Sequence, residues 1–500
     1  MPMAQAADFT VNSATPVTTG QALNTAGNTG TVTSGSTLST NGSTQAVTLT
    51  GSGTITLNNS GTIEQTGTAR AIRNNAGPIT FRLNNNGTIS SLADDVLKMG
   101  VAASVFEFSN QGTIWQKGTG TASGQALDLR DLTSTGNVIT NGSATNSSAM
   151  IRADGDDALR PGRNITITNY GTIISNGVVN TKCADYLGTL CTGAASAHDA
   201  IDIGGNTGVV VNNYGTISGP RHAITADTSV TVTNYAGGQI IGRNGSGVGS
   251  DGTGTVVNYG LISGRYAGAG MAYDFLNNRN TYTDPTQTTV NNGDGDAVDI
   301  DGVGTITNYG RIEGLGGGGY DSGGRPNGGD GLALGGGTVN NMAGAVIWGK
   351  SNGILVDDGA NGTDTTNTVG NKNRGTATAA ASAVSITNSG EITGDRKVAI
   401  GLVGTWDDTV VNNATGVITG GVDTQQVDML STNAAQRPGA AIQMGAGNDT
   451  LTNYGRIEGK NGLAIDMGAG DDTTRLFAGG STGVVIGTID GGAGNDTLET

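Results

Sequence analysis

The chain has 500 residues, a formal net charge of −16, and few aromatic or charged side chains, at 4% and 13% of the sequence. It holds only 25 Lys and Arg residues, which argues against nucleic-acid binding, because neutralising phosphates requires basic side chains. Glycine is abundant, at 88 residues against 8 prolines, which excludes collagen and proline-rich linkers. No apolar run approaches the length of a membrane span.

The beginning of the chain carries a possible export signal. Ala4-Gln5-Ala6 precedes Ala7-Asp8-Phe9, which fits the end of a cleaved secretory signal, although no basic or apolar region comes before it. We therefore expect residues 1–24 to be an N-terminal segment left after cleavage. Residues 25–500 are expected to form the folded body.

One short phrase, Asn-x-Gly-x-Ile, recurs along most of the chain. It begins at Asn59, Asn85, Asn110, Asn169, Asn213, Asn258, Asn308, Asn388 and Asn453, with looser versions at Gly136, Gly238, Gly344 and Gly416. A phrase that returns about every two dozen residues indicates a solenoid, a stack of similar coils.

Three kinds of strand are predicted in each coil. One follows the glycine of the repeated phrase, a second has the pattern of residues 199–203, and a third alternates apolar and polar residues up to the asparagine, as in residues 165–169. Such alternation is typical of half-buried strands. We predict an all-β, right-handed parallel β-helix. The asparagine would occupy a corner, either in left-handed backbone or bonded to a neighbouring asparagine, and the glycine would relieve that corner.

Wide gaps between repeats predict loop insertions, which often form the binding edge of a repeat protein. The expected insertions are residues 175–197, 266–292, 315–329 and 357–380. The first contains the only cysteines, Cys183 and Cys191. In an exported protein they are expected to close the loop with a disulfide, whereas two free thiols are the alternative.

The strand pattern, the Ala4-Gln5-Ala6 start and phrases such as Asn169-Tyr170-Gly171-Thr172-Ile173 resemble the passenger region of autotransporters, the type V secreted proteins of Gram-negative bacteria. The resemblance implies export through the periplasm and an outer-membrane β-barrel translocator to the cell surface or medium. No barrel pattern is present. Since the sequence stops inside a repeat at Thr500, we expect a passenger truncated at its C-terminus.

Three functions agree with this interpretation. The first is an adhesin or structural module that contacts a host or matrix surface through glycan or protein. The second is a polysaccharide-active β-helix enzyme, either a lyase or a glycoside hydrolase. The third is a spacer that presents a domain beyond Thr500.

The enzyme alternative depends on acidic residues expected to face outward. They are Asp128, Asp202, Asp299 and Asp466. The densest acidic stretch includes Asp296, Asp299 and Asp301, and paired carboxylates are the usual catalysts of glycoside cleavage. Solvated aspartates on an acidic protein are the simpler explanation.

His198 and His222 are the only histidines, and they lie in successive repeats. We expect them to come within reach of each other. A Ser-His-Asp arrangement stays open, although no Gly-x-Ser-x-Gly phrase occurs in the context that such a nucleophile requires.

Three late phrases resemble the Gly-Gly-x-Gly-x-Asp repeat of RTX calcium-binding rolls, and they contain Asp449, Asp472 and Asp496. In such rolls, aspartates and turn carbonyls form an oxygen cage for Ca²⁺. Here the phrases recur once per coil instead of every nine residues. We therefore predict either Ca²⁺ between coils at these aspartates or water-exposed corners.

Overall fold

The computed structural model describes residues 8–119, 124–177, 198–266, 295–315, 329–357, 380–421, 439–477 and 483–500. These residues form strands and turns, with no helix among them; accordingly, this part of the chain contains no helix long and apolar enough to cross a membrane. Two compact units are present. One comprises Met1–Val179 and Ser196–Val232, and the other comprises Asn180–Ala195 and Thr233–Thr500.

The first unit is a parallel β-helix whose coils contribute one strand to each of three faces. The Asn face, named for the asparagine that ends most of its strands, contains Phe9–Val11, Thr29–Val32, Gly53–Asn59, Ile79–Asn85, Val105–Asn110, Asn137–Asn141, Ile165–Asn169, Val210–Asn213 and Ser229–Asn234, whose last two residues belong to the second unit. The Ile face, which follows the glycine, contains Thr37–Thr40, Thr62–Gln65, Thr88–Ser91, Thr113–Gln116, Met150–Ala153, Thr172–Ser175 and Thr216–Gly219. The short face contains Gln21–Leu23, Val47–Leu49, Ile72–Asn74, Leu97–Met99, Leu127–Asp128, Leu159–Arg160, Ile201–Asp202 and Ile224–Ala226.

The second unit has the same three faces. Its Asn face continues with Thr253–Asn258, Gly304–Asn308, Gly337–Asn341, Val384–Asn388, Thr409–Asn412, Thr450–Asn453, Thr473–Leu476 and Thr497–Glu499. Its Ile face contains Gln239–Gly242, Leu261–Tyr266, Arg311–Gly314, Val346–Gly349, Glu391–Gly394, Val417–Gly420, Arg456–Asp466 and Val484–Asp490, the last two of which run on into the short face. The short face also contains Val248–Ser250, Val298–Ile300, Leu332–Leu334, Ile354–Val356, Ile400–Leu402 and Ile442–Gln443. A further strand, Asn244–Gly245, pairs antiparallel with Leu261–Tyr266.

Branched apolar side chains fill the interior of each coil. In the first unit Ile63, Ile89 and Ile114 occupy the same register position on successive strands, and each is almost completely buried. Phe81 and Phe106 stack in the same way, with ring centroids 5.7 Å apart. The predicted all-β parallel β-helix with three strands per coil is therefore confirmed, and thin coils need few aromatic residues.

The asparagines that end the Asn-face strands form a buried hydrogen-bond ladder within each unit. Each side-chain amide donates to the side-chain oxygen of the asparagine one coil later. In the first unit the ladder runs Asn59, Asn85, Asn110, Asn141, Asn169 and Asn213, with N···O distances of 2.7–2.8 Å. In the second unit it runs Asn234, Asn258, Asn308, Asn341, Asn388, Asn412 and Asn453, at 2.8–3.0 Å. These bonds satisfy polar groups that burial would otherwise destabilise.

The corner differs from the sequence prediction in two respects. Asn164 is the only non-glycine residue with positive φ among the described residues, so the ladder asparagines do not use left-handed backbone. The following glycines are needed because the coils approach closely: a Cβ on Gly87 would lie 2.0 Å from the carbonyl oxygen of Gly61.

Two boundaries also differ from the sequence prediction. Gly136 precedes the Asn-face strand Asn137–Asn141, so the corner of that coil is Asn141 rather than the loose phrase at Gly136. Strands begin at Phe9, inside the segment 1–24, and Phe9–Val11 pairs with Thr29–Val32.

Candidate functional site: a charged corner of the first unit

The acidic spot predicted in the second unit places Asp296 next to Asp330 of the following coil. Asp296 is buried, and its Oδ1 accepts a hydrogen bond from the backbone N–H of Asp330. Asp299 is half-buried on its strand, and the residues in register with it are Gly249 and Ala333. Asp301 follows that strand in a bend.

The two outward aspartates of the first unit are held by basic side chains. Asp128 is in register with Lys98, whose Nζ lies 2.6 Å from its Oδ2, and Arg130 contacts its Oδ1 at 2.9 Å. These cations cover Asp128 and lower its pKa, even though burial opposes them. Asp202 lies 3.1 Å from Arg160. In the second unit, Asp466 is buried.

The two histidines do not stack on each other. Ile201 is in register with Ile224, which places His198 level with Arg221 and His222 level with Asp199. The backbone N–H of His222 donates to Asp199 Oδ1 at 3.0 Å. The two histidines are therefore offset by one residue of register in adjacent coils.

His198 instead faces an acidic pair in the preceding coil. Leu159 is in register with Ile201, so Asp156 lies level with His198. The Nδ1 atom of His198 is 3.2 Å from Asp156 Oδ1 and 4.0 Å from Asp157 Oδ1. We call this group the charged corner. Its members are Asp156, Asp157, Arg160, His198, Asp199, Asp202 and Arg221.

Asp157 is the most deeply buried member, with 1% of its side chain exposed. Its Oδ1 accepts the backbone N–H of Asp199 at 2.7 Å, and its Oδ2 accepts from Arg160 Nε at 2.5 Å. Burial, followed by the charge of Asp199, raises the pKa of Asp157 to about 7 despite Arg160. Its carboxylate therefore couples two coils, and its ionised form is unfavourable at this position.

The next coil has an equivalent contact, in which Asp199 accepts the backbone N–H of His222. Asp199 is 2% exposed, and Arg221 binds both of its carboxylate oxygens, with Nη2–Oδ2 and Nε–Oδ1 distances of 2.7 and 3.0 Å.

Burial lowers the pKa of His198, but its hydrogen-bonding and charged neighbours Asp156 and Asp157 outweigh that effect, so the pKa is raised above its ordinary value.

Sequence reasoning missed Asp156, Asp157, Arg160 and Arg221. The dipeptides Asp156-Asp157, His198-Asp199 and Arg221-His222 each precede Ala-Leu or Ala-Ile. Aligning these dipeptides coil by coil would have placed the charged residues in two adjacent columns.

The second unit contains a different acidic column, formed by Asp408, Asp449, Asp472 and Asp496. In each adjacent pair, Oδ1 of the later aspartate accepts the backbone N–H of the earlier one, at 2.7–3.1 Å. The Oδ2 atoms of Asp449 and Asp472 are buried and accept no hydrogen bond from the described residues. Burial raises the pKa of Asp449 to about 7 and that of Asp408 to about 6.

This acidic column contains the three aspartates of the predicted calcium site. Asp449, Asp472 and Asp496 stack in successive coils, so one ion could bridge neighbouring carboxylates. The predicted disulfide between Cys183 and Cys191 lies outside the described residues, as do almost all residues of the four predicted insertions.

In comparisons with known proteins, no family model, no curated protein and no solved structure matches the chain.

Proposed function

We propose that the chain is the exported passenger of a cell-surface or secreted β-solenoid that works by contact with a host or matrix surface. The observation that carries this proposal is the structural role of the buried acidic side chains and their basic partners. Asp157, Asp199 and Asp296 hold adjacent coils together through backbone N–H groups. They are therefore structural, and the residues in register with Asp299 are Gly249 and Ala333.

A row of stacked aromatic rings supplies contact area in the second unit. Tyr235, Tyr259 and Tyr309 follow the ladder asparagines, and their rings stack with centroid distances of 6.3 and 4.5 Å. Tyr259 and Tyr309 are 42% and 44% exposed. Tyrosines combine apolar area with a polar hydroxyl, which makes them common at recognition surfaces. This tyrosine row is the surface that we assign to the partner.

The test is binding of purified protein to immobilised glycans and extracellular-matrix proteins. The variant Tyr259→Ser/Tyr309→Ser is compatible with the fold, because Ser389 occupies the same position in a later coil. We expect it to bind at least about tenfold more weakly with an unchanged melting temperature, since tyrosines often dominate interface energies. Substitution of Tyr170, which has the same position in the first unit, serves as the control.

Polysaccharide degradation is measured in parallel, with and without calcium. If the protein releases oligosaccharides from a polysaccharide and Asp299→Asn abolishes that release, the enzyme alternative replaces this proposal. If the wild type binds none of the immobilised surfaces, or if the double tyrosine variant binds them as wild type does, contact through the tyrosine row is wrong.

A further inference from the structure

We propose that Asp156, Asp157 and His198 bind one divalent transition-metal ion, with Zn²⁺ as the best match to their donor atoms. One ligand atom from each residue lies within 4.8 Å of the other two. The proposal does not depend on the proposed function, because the site lies at the charged corner of the first unit and the tyrosine row belongs to the second.

The distances suit a small tetrahedral ion. Two ligands about 2.0–2.1 Å from a tetrahedral zinc lie roughly 3.3 Å apart, and His198 Nδ1 is 3.2 Å from Asp156 Oδ1. Asp157 Oδ1 lies farther away, at 4.0 Å from the same nitrogen. A modest shift of the Asp157 side chain towards His198 would therefore give the ion three protein ligands and leave its fourth position for water.

The donor atoms select the kind of metal. The Nδ1 atom of His198 is buried and faces the carboxylates of Asp156 and Asp157, at 3.2 and 4.0 Å from their Oδ1 atoms. An imidazole nitrogen with two carboxylate oxygens is a ligand set typical of zinc and related transition metals. Calcium takes six to eight oxygen ligands instead, so it would gain little from this corner.

The charges of the corner also favour a divalent cation. Four carboxylates, those of Asp156, Asp157, Asp199 and Asp202, are accompanied by two guanidinium groups, those of Arg160 and Arg221. Metal binding requires neutral His198 and ionised carboxylates, and in that state the corner has an excess of two negative charges. An ion of charge +2 would balance that excess and link the coil of Asp156 to the coil of His198.

A closely matched corner in the same unit lacks the nitrogen donor. The residues Asp94 and Asp95 precede the strand Leu97–Met99 as Asp156 and Asp157 precede the strand Leu159–Arg160. Leu97 is in register with Leu127, so Gly124 stands where His198 stands in the charged corner. Asp94 is therefore the control residue for the role of Asp156.

The experiment is isothermal titration of chelator-treated wild-type protein with Zn²⁺, followed by thermal melting with and without the metal. We expect one ion per chain at the site and a rise in melting temperature on binding. His198→Gln and Asp156→Asn should each weaken binding at least about 100-fold, since loss of even an outer partner of a zinc ligand costs roughly 10–100-fold. Asp94→Asn should bind Zn²⁺ as wild type does.

Cysteine thiolates are a competing source of zinc binding, so the titration is repeated with Cys183→Ser/Cys191→Ser. The proposal requires binding to persist in that variant. It is overturned if zinc binding disappears with the cysteines, if His198→Gln binds as tightly as wild type, or if Asp94→Asn weakens binding as much as Asp156→Asn. Melting of each metal-free variant near the wild-type temperature shows that the fold is intact.

Discussion

The side-chain amide of Asn85 donates a hydrogen bond to the side-chain oxygen of Asn110, 2.7 Å away and one coil later. Asn85 also accepts from Asn59 at 2.8 Å. Both of its hydrogen-bonding ends are therefore used inside the protein, and each ladder asparagine supports the coil before it and the coil after it.

Asn85→Ala should lower the free energy of unfolding of the first unit by about 2–4 kcal/mol, because unpaired buried polar groups cost about 1–3 kcal/mol each. The adjacent Asn84 is the control: it is exposed, and its amide donates to Asn58. Asn84→Ala should cost less than about 0.5 kcal/mol. Denaturant unfolding of both variants measures the difference, and equal losses would contradict a structural role for the buried ladder.

Arg221→Gln should destabilise the first unit by about 3 kcal/mol, since it leaves the buried carboxylate of Asp199 without its bidentate partner. Arg82→Gln is the comparison, because the Arg82–Glu107 pair is 2.7 Å long but 52% and 40% exposed. Exposed ion pairs add little to stability, because water screens them and both long side chains must be ordered. Urea melts of the two variants would contradict the prediction if Arg82→Gln lost as much as Arg221→Gln.

The second unit should become less stable as the pH rises from about 4 to about 7. The folded-state pKa of Asp449 is raised to about 7, whereas an unfolded aspartate has a pKa of about 3.9. The folded state therefore holds a proton that the unfolded state has released. Its stabilisation is complete below the unfolded pKa and is lost as the pH passes through the folded value.

Asp449→Asn should remove a large part of this pH dependence, the rest coming from groups such as Asp408, whose pKa is raised to about 6. It should raise stability at pH 8 by on the order of 2 kcal/mol, since one pKa unit corresponds to about 1.4 kcal/mol. Melting is followed in a chelator to exclude bound metal. Asp471→Asn is the control, because Asp471 is exposed and its column has asparagine at 448 and 495. An unchanged pH profile for Asp449→Asn would show that this carboxyl is not the titrating group.

Calcium binding between coils predicts a melting temperature that rises with Ca²⁺ and falls with a chelator. Asp472→Ala should abolish most of that response, because the unpaired Oδ2 atoms of Asp449 and Asp472 lie in adjacent coils. Asp471→Asn should keep it. If millimolar Ca²⁺ and the chelator leave the melting temperature unchanged, calcium binding is contradicted. Protonation would then be what neutralises the aspartates of this column.

The fold could be predicted because its cause is local and repeated. Inward residues such as Ile63 and Ile89 recur at a fixed distance from the asparagine, so one coil's pattern specifies the next. The function of the corner glycine was harder to infer, because the closeness of Gly87 to Gly61 arises only when coils stack. The repeat missed at Asn141 is interrupted by residues 142–149, which separate the asparagine from its Ile-face strand.

The charged corner was only partly accessible from the sequence. His198 was selected as a rare residue, but its neighbours depend on a register that brings residues 42 positions apart, Asp157 and Asp199, into contact. The buried state of Asp157 likewise depends on side chains from other coils. Composition indicates only an acidic protein. The buried carboxylates meet their backbone N–H partners only when the coils stack.

The asparagine ladder also makes the register of the fold independent of coil length. Consecutive ladder asparagines are separated by as few as 24 residues, between Asn234 and Asn258, and by as many as 50, between Asn258 and Asn308. The hydrogen bond is nevertheless 2.9 Å in both cases. A segment can therefore be lengthened, shortened or exchanged between two such asparagines while the strands on either side keep their alignment. The fold can thus acquire new surface loops one coil at a time.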